Sequence, residues 1–292
     1  MCDLSLCWQW LAGVLFVALA PFAGGLLAGA ERVLAARMQR RVGPPLLQPF
    51  YDFGKLWNKE ALAVNSAQVF CVECFLLFVV LSGGLFFAQG DLLLVIFTLT
   101  VAEVWFIVAA YCSNSPYSAV GAGRELAQIL AYEPMLLLTA IGFYLKSGSF
   151  GVDVILQEPV MNLLYLPGVF AGFCFILLIK FRKSPFDISL SHEIHQELIQ
   201  GMNTEFSGRT LAYIELAHWY ENVLFFGFVY LFFAWAPLWT VPVGLVGCLA
   251  VFLLGVLVDN CCSRVKWQHM LLTVWLVTLV TGFVNVMFLM YV

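Results

Sequence analysis

Eight stretches of this chain run for about 20 residues each with scarcely a charge, the length a helix needs to cross about 30 Å of hydrocarbon. They fall at about 8–30, 68–89, 92–112, 125–146, 161–181, 211–235, 238–258 and 269–291. Runs such as LLLVIFTLTVAEVWFIVAA are apolar on every side, whereas the strands of a membrane barrel alternate in polarity over about ten residues. The expectation is therefore an all-α, polytopic membrane helix bundle of about eight transmembrane helices. Composition agrees: 62% of the 292 residues are hydrophobic and 11% charged, against roughly 25% charged in soluble domains, too few to cover a water-facing surface.

Every Lys and Arg except Lys146 lies in or beside the segments that follow the first, third, fifth and seventh stretches. The positive-inside rule puts those segments in the cytoplasm and both termini on the extracytoplasmic side. Ala28-Gly29-Ala30 imitates a signal-peptide cleavage site. Residues 1–7 hold Asp3 and no basic residue, however, and the apolar run from Trp8 exceeds a signal core, so the first stretch is read as a retained helix. The formal charge of −4, with no basic stripe beyond the topological signal, excludes nucleic acid as a partner. The nine cysteines form no framework. Cys71 and Cys74 make a CxxC without a matching pair, and Cys261 and Cys262 fall in a reducing compartment, so neither a metal nor a disulfide is expected.

Connections are short except for cytoplasmic loops 31–67 and 182–210, and residues 1–292 read as a single transmembrane domain. The first loop opens with ERVLAARMQRR, breaks at Gly43-Pro44-Pro45 and resumes as LLQPFYDFGKLWNKE. There Leu46, Leu47, Phe50, Phe53, Gly54 and Trp57 recur at helical spacing, which predicts an amphipathic helix in the interface. Arg37, Arg40, Arg41 and Lys55 supply cations that could hold a partner's carboxylates as well as fix topology. The second loop begins RKSPFD, with Ser184 placed to cap a helix, Pro185 at its first position and Asp187 at capping-box spacing. Behind it Glu193, Glu197 and Glu205 gather with His192, His195 and Gln196, and Glu193 and Glu197 would share a helical face. The HEIH element has its histidines three apart rather than the four of a zinc HExxH helix, so a polar or proton-handling cluster is preferred over a metal site.

Five carboxylates, Glu73, Glu103, Glu133, Glu215 and Glu221, fall inside the apolar stretches, where a charge costs roughly 2.5–3.5 kcal/mol at a helix centre. Glu103 sits near the middle of its stretch with no basic neighbour in sequence, and Glu133 is followed by Pro134. Glu215, His218 and Glu221 are spaced three and three, a ladder rising about 9 Å along one side of a helix. With Asp187, Glu193, Glu197 and Glu205 these residues make a candidate proton path. The competing expectation is that each acid only pairs with Arg124, Lys180 or a backbone carbonyl to hold the bundle together.

At these residues the chain resembles the quinone-chamber membrane subunit of respiratory complex I. It resembles more closely the corresponding subunit of energy-converting nickel-iron hydrogenases of the formate hydrogenlyase type. The elements concerned are ERVLAARMQRRVGPPLLQPFYDFGKLWNKE, GAGRELAQILAYEP and KSPFDISLSHEIHQELIQGMNTEFSG followed by ELAHWYEN. One residue separates Gly43-Pro44 from Leu46-Leu47-Gln48-Pro49 where complex I subunits carry a longer spacer. His192, His195 and Gln196 stand in place of a Glu-Ser-Glu-Leu pattern, and both departures favour the hydrogenase branch.

The resemblance implies a multi-pass anchor in a prokaryotic cytoplasmic (inner) membrane that holds no cofactor of its own. It would dock the large and small subunits of a [NiFe] hydrogenase and a ferredoxin-like iron-sulfur subunit, which carry the [NiFe] centre and the iron-sulfur clusters. Antiporter-like membrane subunits would lie beside it in the bilayer, and the complex would link hydrogen chemistry to movement of H⁺ or Na⁺. By the same resemblance Glu133 and Glu205 belong to a buried acidic path. Two rivals remain: the quinone-binding subunit of an NADH:quinone oxidoreductase, and an independent cation-coupled transporter. The latter is disfavoured because corresponding halves lack Gly- or Pro-broken helices.

Overall fold

The computed structural model describes residues 2–60, 65–189, 200–236 and 239–291, and these are helical apart from short connections and one isolated antiparallel bridge, Asp91 to Gly151. In chain order the helices are α1 (Cys2–Met38), α2 (Gln48–Asn58), α3 (Ser66–Phe87), α4 (Leu92–Tyr111), α5 (Pro116–Ser147), α6 (Val152–Leu156), α7 (Asn162–Tyr165) and α8 (Pro167–Lys180). A 3₁₀ turn at Gly201–Glu205 precedes α9 (Gly208–Phe233), α10 (Thr240–Cys261), α11 (Trp267–Val277) and α12 (Val284–Tyr291). A π-helical turn, Thr278–Phe283, joins the last two into one rod.

Among the described residues, six helices are long and apolar enough to cross a membrane: α1 from Gln9, α3, α4, α5, α10 and the α11–α12 rod. The other two expected stretches are also helical but differ in kind. Helix α8 has only 14 residues, about 21 Å at 1.5 Å per residue, and α9 carries Glu215, His218 and Glu221 within its 26 residues.

Local chemistry fixes most boundaries. Asp91 accepts from the backbone N–H of Leu93 to start α4, Asn65 does the same for Ala67 at α3, and Pro116 opens α5 where a missing N–H costs nothing. Gly148, with φ of 72°, closes α5 in the left-handed conformation. Two expectations are corrected. The piece Glu31–Met38 continues α1 rather than opening a loop, since nothing in ERVLAARM breaks a helix before Gly43. The capping box at Ser184 is not used, because residues 184–189 are not helical. Ser184 is committed elsewhere: its N–H donates to Asp259 Oδ1 (2.8 Å) and its hydroxyl to the carbonyl of Cys262 (2.9 Å), tying the loop to the end of α10.

In lipid the helices are held by close packing rather than by expulsion of water, so small residues and rings decide which faces meet. A Cβ on Gly24 would stand 2.4 Å from the carbonyl oxygen of Trp219, so α1 and α9 touch backbone to backbone. The interior is a stack of phenylalanines, with Phe75 on Phe106 at 4.9 Å and Phe86 on Phe228 at 5.0 Å between ring centres. Pro21 lies inside α1 and cannot donate to the carbonyl of Val17. The hydroxyl of Tyr220 on α9 donates to that carbonyl instead, at 2.7 Å, so the break is repaired from a neighbouring helix.

The amphipathic α2 is present, but its apolar side packs on α9 as well as along the bundle surface. Phe50 and Phe53 lie 5.4 and 5.6 Å from Trp219, and Trp57 lies 5.8 Å from Tyr213. Its polar side is tied to α1 by Arg32 and Asp52 at 3.1 Å.

Candidate functional site

The acids of the bundle meet where α4, α5, α8 and α9 converge. Glu103, twelfth of the twenty residues of α4, receives Lys180 from the end of α8 at 2.6 Å, and the two side chains are 3% and 4% exposed. Lys180 also lies 4.2 Å above the Tyr132 ring, so its charge is held by a carboxylate below a π face. Glu221 of α9 faces Glu103 on the other side. Glu103 Oε2 and Glu221 Oε1 nonetheless have no donor among the described residues. Two carboxylates so placed can bond only through a proton held between them.

From Glu221 the chain continues outward. Glu221 Oε2 lies 3.1 Å from His218 Nδ1, and Arg182 contacts His218 Nε2. Arg182 can only donate, so Nε2 must accept, the imidazole is neutral, and its proton sits on Nδ1 facing Glu221. Arg182 also reaches Glu125 Oε1 at 3.9 Å. This innermost group thus sets three carboxylates, Glu103, Glu125 and Glu221, against two cations, Lys180 and Arg182. An uncompensated buried charge is costly, and one proton shared among the acids removes it.

The group forms the floor of a polar cavity of about 980 Å³ bounded by α1, α9, α10 and the segment after α8. Glu215, His218 and Glu221 all line it, so the ladder seen in the sequence occupies one wall, and Asp187 lines it too. Beside it Lys183 pairs with Glu31 of α1. Burial pushes the Lys183 ammonium down to about 8 from its usual 10.5, with Asp259 and Asp187 opposing the shift.

A second cavity, about 680 Å³ and almost wholly apolar, opens between α1, α9 and α10 and is lined by residues such as Phe86, Tyr230 and Leu249. The two are linked by a space of only about 40 Å³, which shares Leu27, Phe226 and Phe252 with the apolar side and Glu31, Lys183 and Asn222 with the polar side.

Other expected residues fall differently. Glu133 is half-buried and accepts from Thr100 Oγ1 at 3.2 Å, one turn of α4 away from Glu103. Glu205 ends the 3₁₀ turn half-buried, and no contact among the described residues joins it to the acidic group. Arg37, Arg40 and Arg41 are exposed, as is Lys55, whose nearest acid is Asp52 at 3.8 Å. His192, Glu193, His195, Gln196 and Glu197 lie outside the described residues. The expectation that acids merely pair is met at Glu103, by Lys180, although Glu103 keeps an oxygen free of that pair. Sequence reading passed over Glu125 in favour of the more conspicuous Glu133. Its signal was present: Glu125, Gln128 and Tyr132 recur at i, i+3 and i+7, and all three are buried on one face of α5.

Comparison with known proteins bears on this arrangement. The family described as NADH dehydrogenase matches residues 11–290. A component of the NADH-quinone oxidoreductase of Aquifex aeolicus is 30% identical, over 75% of this chain and 74% of its own length. Hydrogenase-4 component C of Escherichia coli is 32% identical, over 66% of this chain and 64% of its own length. Among solved structures, a chain of the membrane-bound sulfane sulfur reductase, an archaeal respiratory membrane complex, superposes with a TM-score of 0.86 at 25% identity, covering 96% of this chain and 99% of that one.

Proposed function

Because the chain belongs to the NADH dehydrogenase family, we propose that it is the membrane anchor and coupling subunit of an energy-converting hydrogenase complex of the [NiFe] type, without a redox centre of its own. The observation that carries this reading is the unbroken polar line from the cavity wall through His218 and Glu221 to Glu103 and Lys180. Residues in that line hold and pass protons, and no electron carrier is needed among them. A change in charge at the cavity mouth alters which of Glu103 and Glu221 keeps the shared proton, and Glu133, bonded to Thr100 on the same helix as Glu103, lies beside that line rather than in it.

The [NiFe] centre and iron-sulfur clusters belong, in this reading, to a peripheral arm seated on the exposed Arg37, Arg40 and Arg41. Antiporter-like membrane subunits receive the coupled H⁺ or Na⁺ movement. All eight expected stretches cross the membrane as one transmembrane unit, α8 with α7 before it and α9 with its acids facing inward. Both termini are then extracytoplasmic, and the membrane is the cytoplasmic membrane of a prokaryote. The test uses the intact complex in sealed vesicles. Glu103→Gln and Glu221→Gln should each lower ion pumping about tenfold or more while hydrogen turnover with a soluble dye persists. Undiminished pumping in both variants would end the proposal.

A second reading, a quinone-reactive subunit, draws support from the apolar side cavity beside the polar one. The connection between them is small and carries the Glu31–Lys183 pair, which a quinone ring would have to displace. That obstruction is why the first reading is preferred.

A further inference from the structure

One acid within the membrane-crossing helices does not turn inward. Glu103 and Glu221 are buried, and Glu133 and Glu215 are half-buried, but Glu73 of α3 is exposed. It receives no hydrogen bond or ion pair from any described residue. Its face is otherwise apolar and equally open, with Phe70, Leu77 and Leu81 at 58%, 60% and 44% exposure, while Val72, Phe75 and Val79 on the opposite face are fully buried. Phe70 meets Trp105 edge-on, so the open face runs onto α4.

Glu73 lies seven residues into a helix of 22, about 10 Å from its end in a rod about as long as the hydrocarbon is thick. A glutamate stem is too short to lift its carboxylate back to the headgroups from there, and an ionised group facing acyl chains is strongly disfavoured. A second copy of this chain cannot supply the missing charge. On its long helices Lys146 and Lys180 have side chains 7% and 4% exposed and are already engaged, Arg32 pairs with Asp52, and Arg124 donates to the Ile188 carbonyl. Arg37 and Arg209 lie at the end of α1 and the start of α9, and a symmetric contact would set Glu73 against Glu73.

We propose that this face of α3 is the seat of a transmembrane helix from a different integral-membrane subunit, which presents a lysine, an arginine or another hydrogen-bond donor to Glu73. The inference rests on the reading that the chain is one subunit of a membrane complex, and it is independent of the proton line. Within lipid such a contact binds by charge and shape together, because neither side has water to fall back on.

The test uses the native complex. A photo-crosslinking residue at Leu77 should capture a membrane-embedded partner, whereas one at Leu254 on α10, also outward-facing, serves as the comparison. Glu73→Lys should reduce recovery of that partner at least tenfold. Glu73→Leu, which cannot impair insertion, should reduce it as well, and Glu73→Gln should retain most of it. Crosslinks from Leu77 to lipid alone, or to a second copy, would overturn the inference, as would an undisturbed partner in Glu73→Lys and Glu73→Leu. Capture of a partner at Leu254 but not Leu77 would remove only this placement. A wild-type chain recovered with no membrane partner at all would remove the complex, and this inference with it.

Discussion

Lys180 Nζ and Glu103 Oε1 lie 2.6 Å apart across 77 residues of sequence, both nearly sealed from the outside of the bundle. Removing one partner leaves the other charge buried and uncompensated, a loss of about 3–5 kcal/mol, whereas removing both leaves neither. Lys180→Met should therefore lower the thermal midpoint of the purified complex sharply, and the double variant with Glu103→Gln should recover most of it. Equal midpoints for single and double variants would show that the pair does not hold the bundle.

The two acids of α5 should behave unequally. Glu125 is buried against Arg182, whereas Glu133 is half-buried and held by a hydroxyl. Glu125→Gln is expected to cut ion pumping by about tenfold or more and Glu133→Gln by markedly less, measured side by side in sealed vesicles with dye-linked turnover as the internal standard. The reverse order would place the working acid of α5 at Glu133.

Tyr220 and Pro21 form a repair that can be taken apart. Tyr220→Phe leaves the Val17 carbonyl in the membrane without a donor, at a cost of about 1–3 kcal/mol. Pro21→Ala restores a backbone N–H to the same carbonyl, so the loss caused by Tyr220→Phe should shrink in that background. Additive losses in the thermal midpoints would mean that the hydroxyl serves some other contact.

Lys183 titrates near 8 in the folded chain and near 10.5 when exposed. Below about pH 8 both states carry the proton and the fold bears the full burial penalty. Between about 8 and 10.5 the unfolded chain binds more protons than the folded one, so stability gains from rising pH, by at most about 3 kcal/mol at 1.36 kcal/mol per unit. The groups facing it are Glu31, Asp187 and Asp259. Melting followed from pH 7 to 10 should show this upward contribution in the wild type and a flatter profile in Lys183→Met.

Much of this arrangement is legible in the sequence, and what is not has a common cause. Local pattern located the helices, the amphipathic α2 and the 215–218–221 ladder, because periodicity and capping act within a few residues. Partners distant in sequence were not readable. Ser184 has every local mark of a helix cap, yet its N–H and hydroxyl go to the end of α10, some 75 residues on. Lys180 was only one of several candidate partners for the buried acids, and its choice of Glu103 depends on how α8 crosses α4. Glu125 was legible in spacing but outshone by the Glu133-Pro134 pair beside it.

The proposed topology yields its own expectation. In a background lacking the exposed Cys261 and Cys262, a cysteine at Arg41 should react with an impermeant thiol reagent only from the cytoplasmic side, and one at Gln157 only from the opposite side. Labelling of both from one side would invert or break the eight-span scheme.

The shortness of α8 and the depth of the polar cavity have an electrical meaning. Where a polar cavity reaches the middle of a bilayer, the voltage between the two sides falls mainly across what remains, which in the proposed topology is the apolar half beyond Lys180, at the cavity wall, and its partner Glu103. A charge moved from the mouth of that cavity to Glu103 does little work against the membrane potential. One moved onward from Glu103 meets almost all of it, about 2.3 kcal/mol for each 100 mV. If the proposed proton line operates, the step that stores energy therefore lies beyond the acids of this chain's interior, and exchanges of protons among them proceed on nearly level electrical ground.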